Sequence, residues 1–270
     1  MSPDLSAALA TAAAVPRLLV AVDFDGVLAP IVDDPSTSAP LPASVAGLRE
    51  LTGLPGTTVA LLSGRALADL VRLSGLAEPV RFVGSHGAQW GSEPVPGFDA
   101  ERAERLADLT RGFEDIAGRY GGVHVERKPI SAVLHVRTAS PAAAAAATGE
   151  AEHLLAHWDD LHVTRGKAVV DVSVLAADKG VALDALRASV QADAVVFAGD
   201  DVTDENAFAR LRPGDVGVKV GPGDTAAAYR VDSPAAFADV LAALLRLRRL
   251  SVDPRHGWRG STDDVSPGTG

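Results

Sequence analysis

The feature that most constrains the fold is an unbroken aliphatic run closing on two acids, Arg17-Leu-Leu-Val-Ala-Val-Asp23-Phe-Asp25-Gly26-Val-Leu28. A run without polar interruption reads as a strand buried on both faces, as in a parallel sheet covered by helices. Acids at the carboxyl end of such a strand sit where open α/β sheets form their ligand crevice. Residues two apart on a strand share a face, so both carboxylates address one point, and paired carboxylates shed their repulsion by holding a cation. A turn acid plus a helix N-cap accounts for the same residues without chemistry, and this stretch alone leaves both readings open.

A second acidic cluster follows another apolar run, Ala194-Val-Val-Phe-Ala-Gly199-Asp200-Asp201-Val-Thr203-Asp204-Glu205. Asp200, Asp201 and Asp204 repel one another at neutral pH unless a cation or a helix N-terminus offsets them. Thr203 or Asp204 is expected to open the helix running through Asn206 to Leu211, which leaves Asp200 and Asp201 unexplained by capping. The loop lacks the turn glycine and distal bidentate glutamate of an EF-hand. Acid clusters at two strand ends therefore predict one hard-cation site, read as Mg²⁺.

Two phosphate-type signals lie between the clusters. Thr57-Thr-Val-Ala-Leu-Leu62 reads as a strand delivering Ser63-Gly64-Arg65 to the start of an apolar-periodic helix, where a hydroxyl and backbone N–H groups can hold an anion. An ordinary N-cap serine fits equally well. The other signal is Asp178-Lys179-Gly180 ahead of the amphipathic stretch Val181 to Val190. Lysine is scarce, only Lys128, Lys167, Lys179 and Lys219 in an arginine-rich chain, and it supplies a compact point charge where arginine supplies a planar fork. A solvated surface lysine is the plainer account.

The chain alternates strand to Asp23, helix near Ala43 to Thr52, strand to Leu62, helix near Leu67 to Leu73 and strand Val80 to Val83, which argues for a parallel sheet. From Trp90 to about Val174 the pattern becomes an α+β insert. It has a long helix (Ala100 to Arg119), strands Val123 to Glu126 and Ala132 to Thr138, an alanine-rich helix (Ala142 to Trp158), and strands near Leu161 to Thr164 and Ala168 to Val174. Strands Ala194 to Ala198 and Val216 to Val220 and a closing helix, Pro234 to Arg249, resume the core. Arg246, Arg248 and Arg249 suit a helix C-terminus. The expected division is a core of residues 1–88 and 176–250, an insert over 89–175 and a disordered tail over 251–270.

Composition narrows the function classes. The absence of cysteine removes disulfides, thiolate metal sites and thiol nucleophiles. A net charge of −10 argues against a nucleic-acid partner. The alanine-rich start lacks a positive n-region and carries Asp4 there, which predicts a leading helix on a cytoplasmic protein. No uncharged apolar stretch reaches the roughly 18 residues of a membrane span.

These residues resemble the haloacid dehalogenase (HAD) superfamily of phosphatases. Its four motifs match Asp23-Phe-Asp25-Gly26-Val27-Leu28, Ser63-Gly64-Arg65, Lys179-Gly180 and Gly199-Asp200-Asp201-Val202-Thr203-Asp204, in order. Within it, Gly84-Ser-His86-Gly87-Ala-Gln89 and Glu126-Arg-Lys128-Pro-Ile-Ser131-Ala-Val-Leu-His135-Val-Arg137 resemble motifs of trehalose-6-phosphate phosphatases. The resemblance spans about residues 17 to 245. Val27 stands where relatives usually have threonine, Gln89 where they have glutamate, Val136 where they have tyrosine, and Asp171 to Leu175 lacks a usual Arg-Pro. Gln89 and Val136 fall on the sugar side.

The resemblance implies a Rossmann-like parallel-sheet core carrying an inserted α+β cap, and a Mg²⁺-dependent hydrolysis of trehalose 6-phosphate, the last step of trehalose biosynthesis. It implies Asp23 as nucleophile and Asp25 as acid and base, roles that carboxylates can fill. Asp23, Asp25 (through its backbone carbonyl) and Asp200 would hold the metal, supported by Asp201 and Asp204. Ser63, Gly64 and Lys179 would bind phosphate. Arg65, His86, Gln89, Glu126, Lys128, Ser131, His135 and Arg137 would contact the sugar, although a polar strand face is usually just solvated. A functional link to a trehalose-phosphate synthase also follows. Alternatives are another sugar phosphate (sucrose phosphate or mannosyl-phosphoglycerate), a phosphomutase, or a non-catalytic sugar-phosphate-binding homologue. Intact Asp23, Asp25, Lys179 and Asp200 speak against the last.

Overall fold

A computed structural model describes residues 2–91, 94–166 and 168–253. The chain begins with helix α1 (Pro3–Ala13), capped by Ser2, and strand β1 (Leu18–Val22), buried at all five positions. Helix α2 (Pro42–Thr52), β2 (Thr57–Leu62), α3 (Leu67–Ser74), β3 (Arg81–Gly84) and the short β4 (Gln89–Trp90) follow. Next come α4 (Ala100–Ala117), β5 (His124–Arg127), β6 (Ser131–His135), α5 (Pro141–Leu155), β7 (His162–Gly166) and β8 (Val169–Ser173). The chain then runs through α6 (Lys179–Val190), β9 (Ala194–Gly199), α7 (Val202–Phe208), β10 (Val216–Val220), β11 (Tyr229–Val231) and α8 (Pro234–Val252).

Seven strands form one sheet in the order β11-β10-β9-β1-β2-β3-β4. All pairs are parallel except β3 with β4. The expected Rossmann-like arrangement follows from β1 itself. Leu18, Val20 and Val22 pack with α1, α2 and α8 on one face, and Leu19 and Ala21 with α6 and α7 on the other, so both faces need aliphatic side chains. Because β4 returns antiparallel to β3, the chain leaves this sheet only after Trp90. A four-stranded antiparallel sheet, β5-β6-β8-β7, forms a separate layer. Ala132, Leu134, Val170 and Val172 pack it against Leu109 and Phe113 of α4 and Ala147 and Ala151 of α5.

The acids of the second cluster are arranged differently from expectation. Asp201, not Thr203 or Asp204, caps α7, its side chain accepting from the N–H groups of Thr203 (2.7 Å) and Asp204 (3.3 Å) in a capping box. An aspartate at N-cap also faces the positive end of the helix. Arg248 is the other departure. It does not project from the helix end to meet the dipole but turns inward to 1% exposure. Its guanidinium donates to the carbonyls of Ala13, Val15, Pro16, Pro55 and Gly56 and to Thr57 Oγ1. The expectation for residues 251–270 lies, from 254 onward, outside the described residues, while Ser251 and Val252 close α8. No described helix is long and apolar enough to cross a membrane.

Candidate active site

The site is assembled at the carboxyl ends of β1, β2 and β9 and the start of α6. Asp23 follows β1 and is held by its N–H, which donates to Ala198 O of β9 at 3.0 Å. Gly26, at φ +71°, lets the next loop fold tightly, and a Cβ there would lie 1.9 Å from Asp200 Oδ2. Only glycine therefore allows the two acidic loops to meet.

Lys179 is the first residue of α6, behind the N-cap Asp178, and it is no surface lysine. It is 1% exposed, with Nζ 2.9 Å from Asp23 Oδ2 and 2.7 Å from Asp204 Oδ1. Burial alone would lower its pKa, but the two carboxylates outweigh burial and hold it raised. Asp204 is fully buried, and its other oxygen accepts from the N–H groups of Asp200 (2.8 Å) and Asp201 (3.0 Å). One carboxylate thus ties the acidic loop to the lysine. Burial, against the pull of Lys179, pushes Asp23 up to about 7. Burial and the neighbouring charges of Asp204 and Asp201 push Asp200 up to about 6. Burial would raise Asp201, but the hydrogen bonds from Thr203 and Asp204 together with the charge of Lys179 hold it below the usual range.

Ser63 is buried at the end of β2, its N–H donating to Val83 O at 3.0 Å. It does not cap a helix. α3 starts at Leu67, four residues later, and Leu67 N donates instead to Gln89 Oε1 at 2.8 Å. Ser63-Gly64-Arg65 is thus a loop along the floor of a cleft of about 380 Å³, shared with Asp23, Asp25, His86, Lys179, Asp200 and Asp201. Arg65 reaches across it, with Nε 2.5 Å from Asp25 Oδ2 and Nη2 2.7 Å from Asp25 Oδ1. His86, in the left-handed region at φ +56°, packs its ring over Gly64. Its buried Nδ1 has no hydrogen-bond partner among the described residues. Burial, with Lys179 nearby, holds it below the usual histidine range.

Of the residues expected on the sugar side, Arg65 and His86 line this cleft and the others are not brought to it. Gln89 binds Leu67 N and Ser85 Oγ (3.0 Å), so its amide organises the α3 start. Glu126, Lys128, Ser131, His135 and Arg137 belong to the smaller layer, none lining the cleft. Strand alternation opposite the packed Ala132 and Leu134 puts Glu126, Ser131 and His135 on that sheet's open face, where Ser131 is nevertheless buried. There His135 Nε2 meets Glu126 Oε2 at 2.9 Å and its ring stacks on His124 with centroids 4.8 Å apart. Lys128 and Arg137 lie just past the strand ends. Lys128 Nζ is 3.0 Å from Asp171 Oδ2, and Arg137 is exposed. Val136 is buried in the α4–α5 core and is therefore not on the open face. Sequence reasoning did not single out Asp171, the Ser38 hydroxyl 3.0 Å from Asp25 Oδ1, or Lys219, whose Nζ donates to Asp200 O at 2.5 Å. For Lys219, a charge within the apolar strand Val216–Val220 was the available signal.

Asp23, Asp200 and Asp204 each offer an oxygen within 4.8 Å of the others. An all-carboxylate donor set suits a hard cation, and the raised pKa values of Asp23 and Asp200 report negative charge crowded into a buried place. The residues fit such an ion. Both Asp204 oxygens accept hydrogen bonds, from Lys179 and the Asp200 and Asp201 N–H groups, and both Asp23 oxygens are engaged by the Phe24 N–H and Lys179, so Asp200 carries the least engaged carboxylate of the three.

A model of the trehalose-phosphatase family matches residues 21–235. The chain is similar to trehalose-phosphate phosphatases of Mycobacterium ulcerans (34% identical over 246 residues, 83% of this chain and 60% of the relative) and Mycobacterium avium (35% over 262 residues, 88% and 65%). It thus spans 60% to 65% of the length of these curated relatives. Among solved structures it resembles the Aspergillus fumigatus trehalose-6-phosphate phosphatase, with a TM-score of 0.64 and 25% identity over 89% of this chain and 97% of that one.

Proposed function

We propose, for a chain that belongs to the trehalose-phosphatase family of the HAD superfamily, that it hydrolyses trehalose 6-phosphate to trehalose and phosphate through an aspartyl-phosphate. The observation that carries the reading is the buried Asp23 carboxylate 2.9 Å from Lys179, two residues ahead of Asp25 at the mouth of the same cleft. Asp23 is the nucleophile, its carboxylate attacking phosphorus. Asp25 gives a proton to the departing sugar oxygen, then takes one from the water that hydrolyses the acyl phosphate. Lys179 and Ser63, with backbone N–H groups at Gly64, bind the phosphoryl oxygens and stabilise the charge that develops there.

Asp23, the Asp25 carbonyl and Asp200 would hold Mg²⁺, with Asp201 and Asp204 fixing the loop that carries Asp200. The bound ion would neutralise charge between nucleophile and phosphate. Chelation is expected to abolish phosphate release and Mg²⁺ to restore it. Ca²⁺ should restore little, because its larger and looser coordination displaces the phosphoryl group. Full turnover in excess chelator would remove the metal from the mechanism.

The layer β5–β8 with α4 and α5 is proposed as a cap whose open face, bearing Glu126, Lys128, Ser131 and His135, closes over the sugar and excludes water. Arg65 and His86 would meet the substrate from the core. Lys128→Ala should then lower kcat/KM for trehalose 6-phosphate by about 10- to 100-fold, as for loss of one charge-assisted hydrogen bond. Hydrolysis of 4-nitrophenyl phosphate, which has no sugar to grip, should barely change. Equal losses on both would assign Lys128 and its partner Asp171 to structure. Inorganic phosphate release across trehalose, sucrose and mannosylglycerate phosphates tests the substrate itself.

A further inference from the structure

Ser38 is 2% exposed, although it lies in the loop joining β1 to α2. That loop carries a single helical turn, Pro35–Thr37, whose polar groups satisfy one another. Asp34 Oδ1 accepts from Ser36 N (2.9 Å) and Ser36 Oγ (2.7 Å), and Thr37 Oγ1 donates to Asp34 O at 2.8 Å. The Ser38 hydroxyl is not used this way. It donates to Asp25 Oδ1 at 3.0 Å, while Arg65 Nη1 donates to Pro35 O at 2.8 Å. The same guanidinium therefore grips Asp25 and braces the turn that presents Ser38, and the Asp25 carboxyl is held from two sides.

The two holders differ in chemistry. A guanidinium has only donors, so it suits Asp25 as an acceptor and has nothing to offer a carboxylic acid O–H. A serine hydroxyl donates and accepts, so it can stay bonded while Asp25 gives and takes its proton. We propose that Ser38 is a positioning residue for Asp25, fixing the direction of its carboxyl toward the leaving oxygen. The proposal rests on the acid–base reading of Asp25 given above.

The test is kcat/KM for 4-nitrophenyl phosphate, phenyl phosphate and trehalose 6-phosphate, whose leaving groups need progressively more protonation. Because kcat/KM reports only steps through release of the leaving group, later hydrolysis does not enter. Ser38→Ala is expected to lower it about 10-fold on trehalose 6-phosphate, less on the phenyl ester, and within about twofold on the nitrophenyl ester. Ser38→Cys, which keeps the size but donates weakly, should fall between. Asp25→Asn should give the same ordering more steeply, at about 10²- to 10⁴-fold on the sugar phosphate. Thermal midpoints equal to the wild type would exclude misfolding as the cause. A uniform loss for both Ser38 variants beside an ordered loss for Asp25→Asn would overturn the role of Ser38 alone. A flat response of Asp25→Asn would overturn the acid–base reading and the proposal with it.

Discussion

Asp23→Asn is expected to lower turnover on every phosphate ester by more than about a thousandfold, because it removes the nucleophile and keeps the shape of the side chain. The loss should not depend on the leaving group, which separates it from Asp25→Asn. Residual turnover above about a thousandth of wild type would require a different attacking group. The same variant should be more stable than the wild type in chelator, at neutral pH and above. Asp23 titrates near 3.8 when unfolded and is pushed to about 7 when folded, mainly by burial. Below the lower value both states are protonated and Asp23 contributes nothing to the pH dependence. Between the two values the folded state binds the proton and the unfolded state does not, so wild-type stability falls as pH rises, then levels above about 7. Asparagine does not titrate, so the advantage of the variant should grow across that window, measured as the difference in urea midpoints. A difference that shrinks with rising pH would mean that attraction to Lys179 outweighs burial. Strain of this kind at a reactive carboxylate is the usual trade of stability for activity.

The parts of the site legible in the sequence are those carried by local pattern. Leu18 to Val22 spells a strand buried on both faces, and an acid at its end has to emerge on the rim. The reason for Gly26 and Gly180 is not carried by local pattern, since it is the close approach of Asp200 and of the Asn206 carbonyl, distant in sequence, that leaves no room for a Cβ. What was not legible depends on which way a side chain turns and on partners far along the chain. Arg65 was expected on substrate, and its fork onto Asp25, 40 residues away, had no local signal. Gln89 was expected on the sugar and instead binds the first N–H of α3, because that helix starts after Ala66, with no side chain of its own to cap it. Asp201 was expected as metal support, and its capping role went unseen because α7 begins earlier than Thr203. Lys128 and Asp171 meet across 43 residues of an antiparallel layer whose register no local signal fixes.

Arg248 shows how far such inward turns can matter, and its loss is expected to be the largest stability change available outside the cleft. All six of its acceptors are neutral oxygens, five of them backbone carbonyls, and burial holds its pKa below the usual arginine range. The arrangement works because a planar fork of five N–H donors can reach the converging ends of α1, β1 and the α2–β2 turn at once. Gly56, at φ +64° with a would-be Cβ 2.0 Å from Pro16 O, lets those segments approach closely enough to share it. Its carbonyl also accepts from Leu18 N at 2.8 Å, where the β1–β2 register begins. Arg248→Met keeps the apolar stem and strands the buried carbonyls, each costing about 1–3 kcal/mol if left unsatisfied. Partial relaxation and water entry reduce the sum, so the expected loss is about 3–5 kcal/mol by urea unfolding. Arg248→Lys should recover only part of it, since one ammonium cannot span six acceptors. Asp23 lies about 16 Å along β1 from Leu18, so the folded fraction of either variant should keep the wild-type kcat/KM. A loss under about 1 kcal/mol for Arg248→Met would mean that water replaces the guanidinium at little cost, and that α8 is held by its apolar face alone.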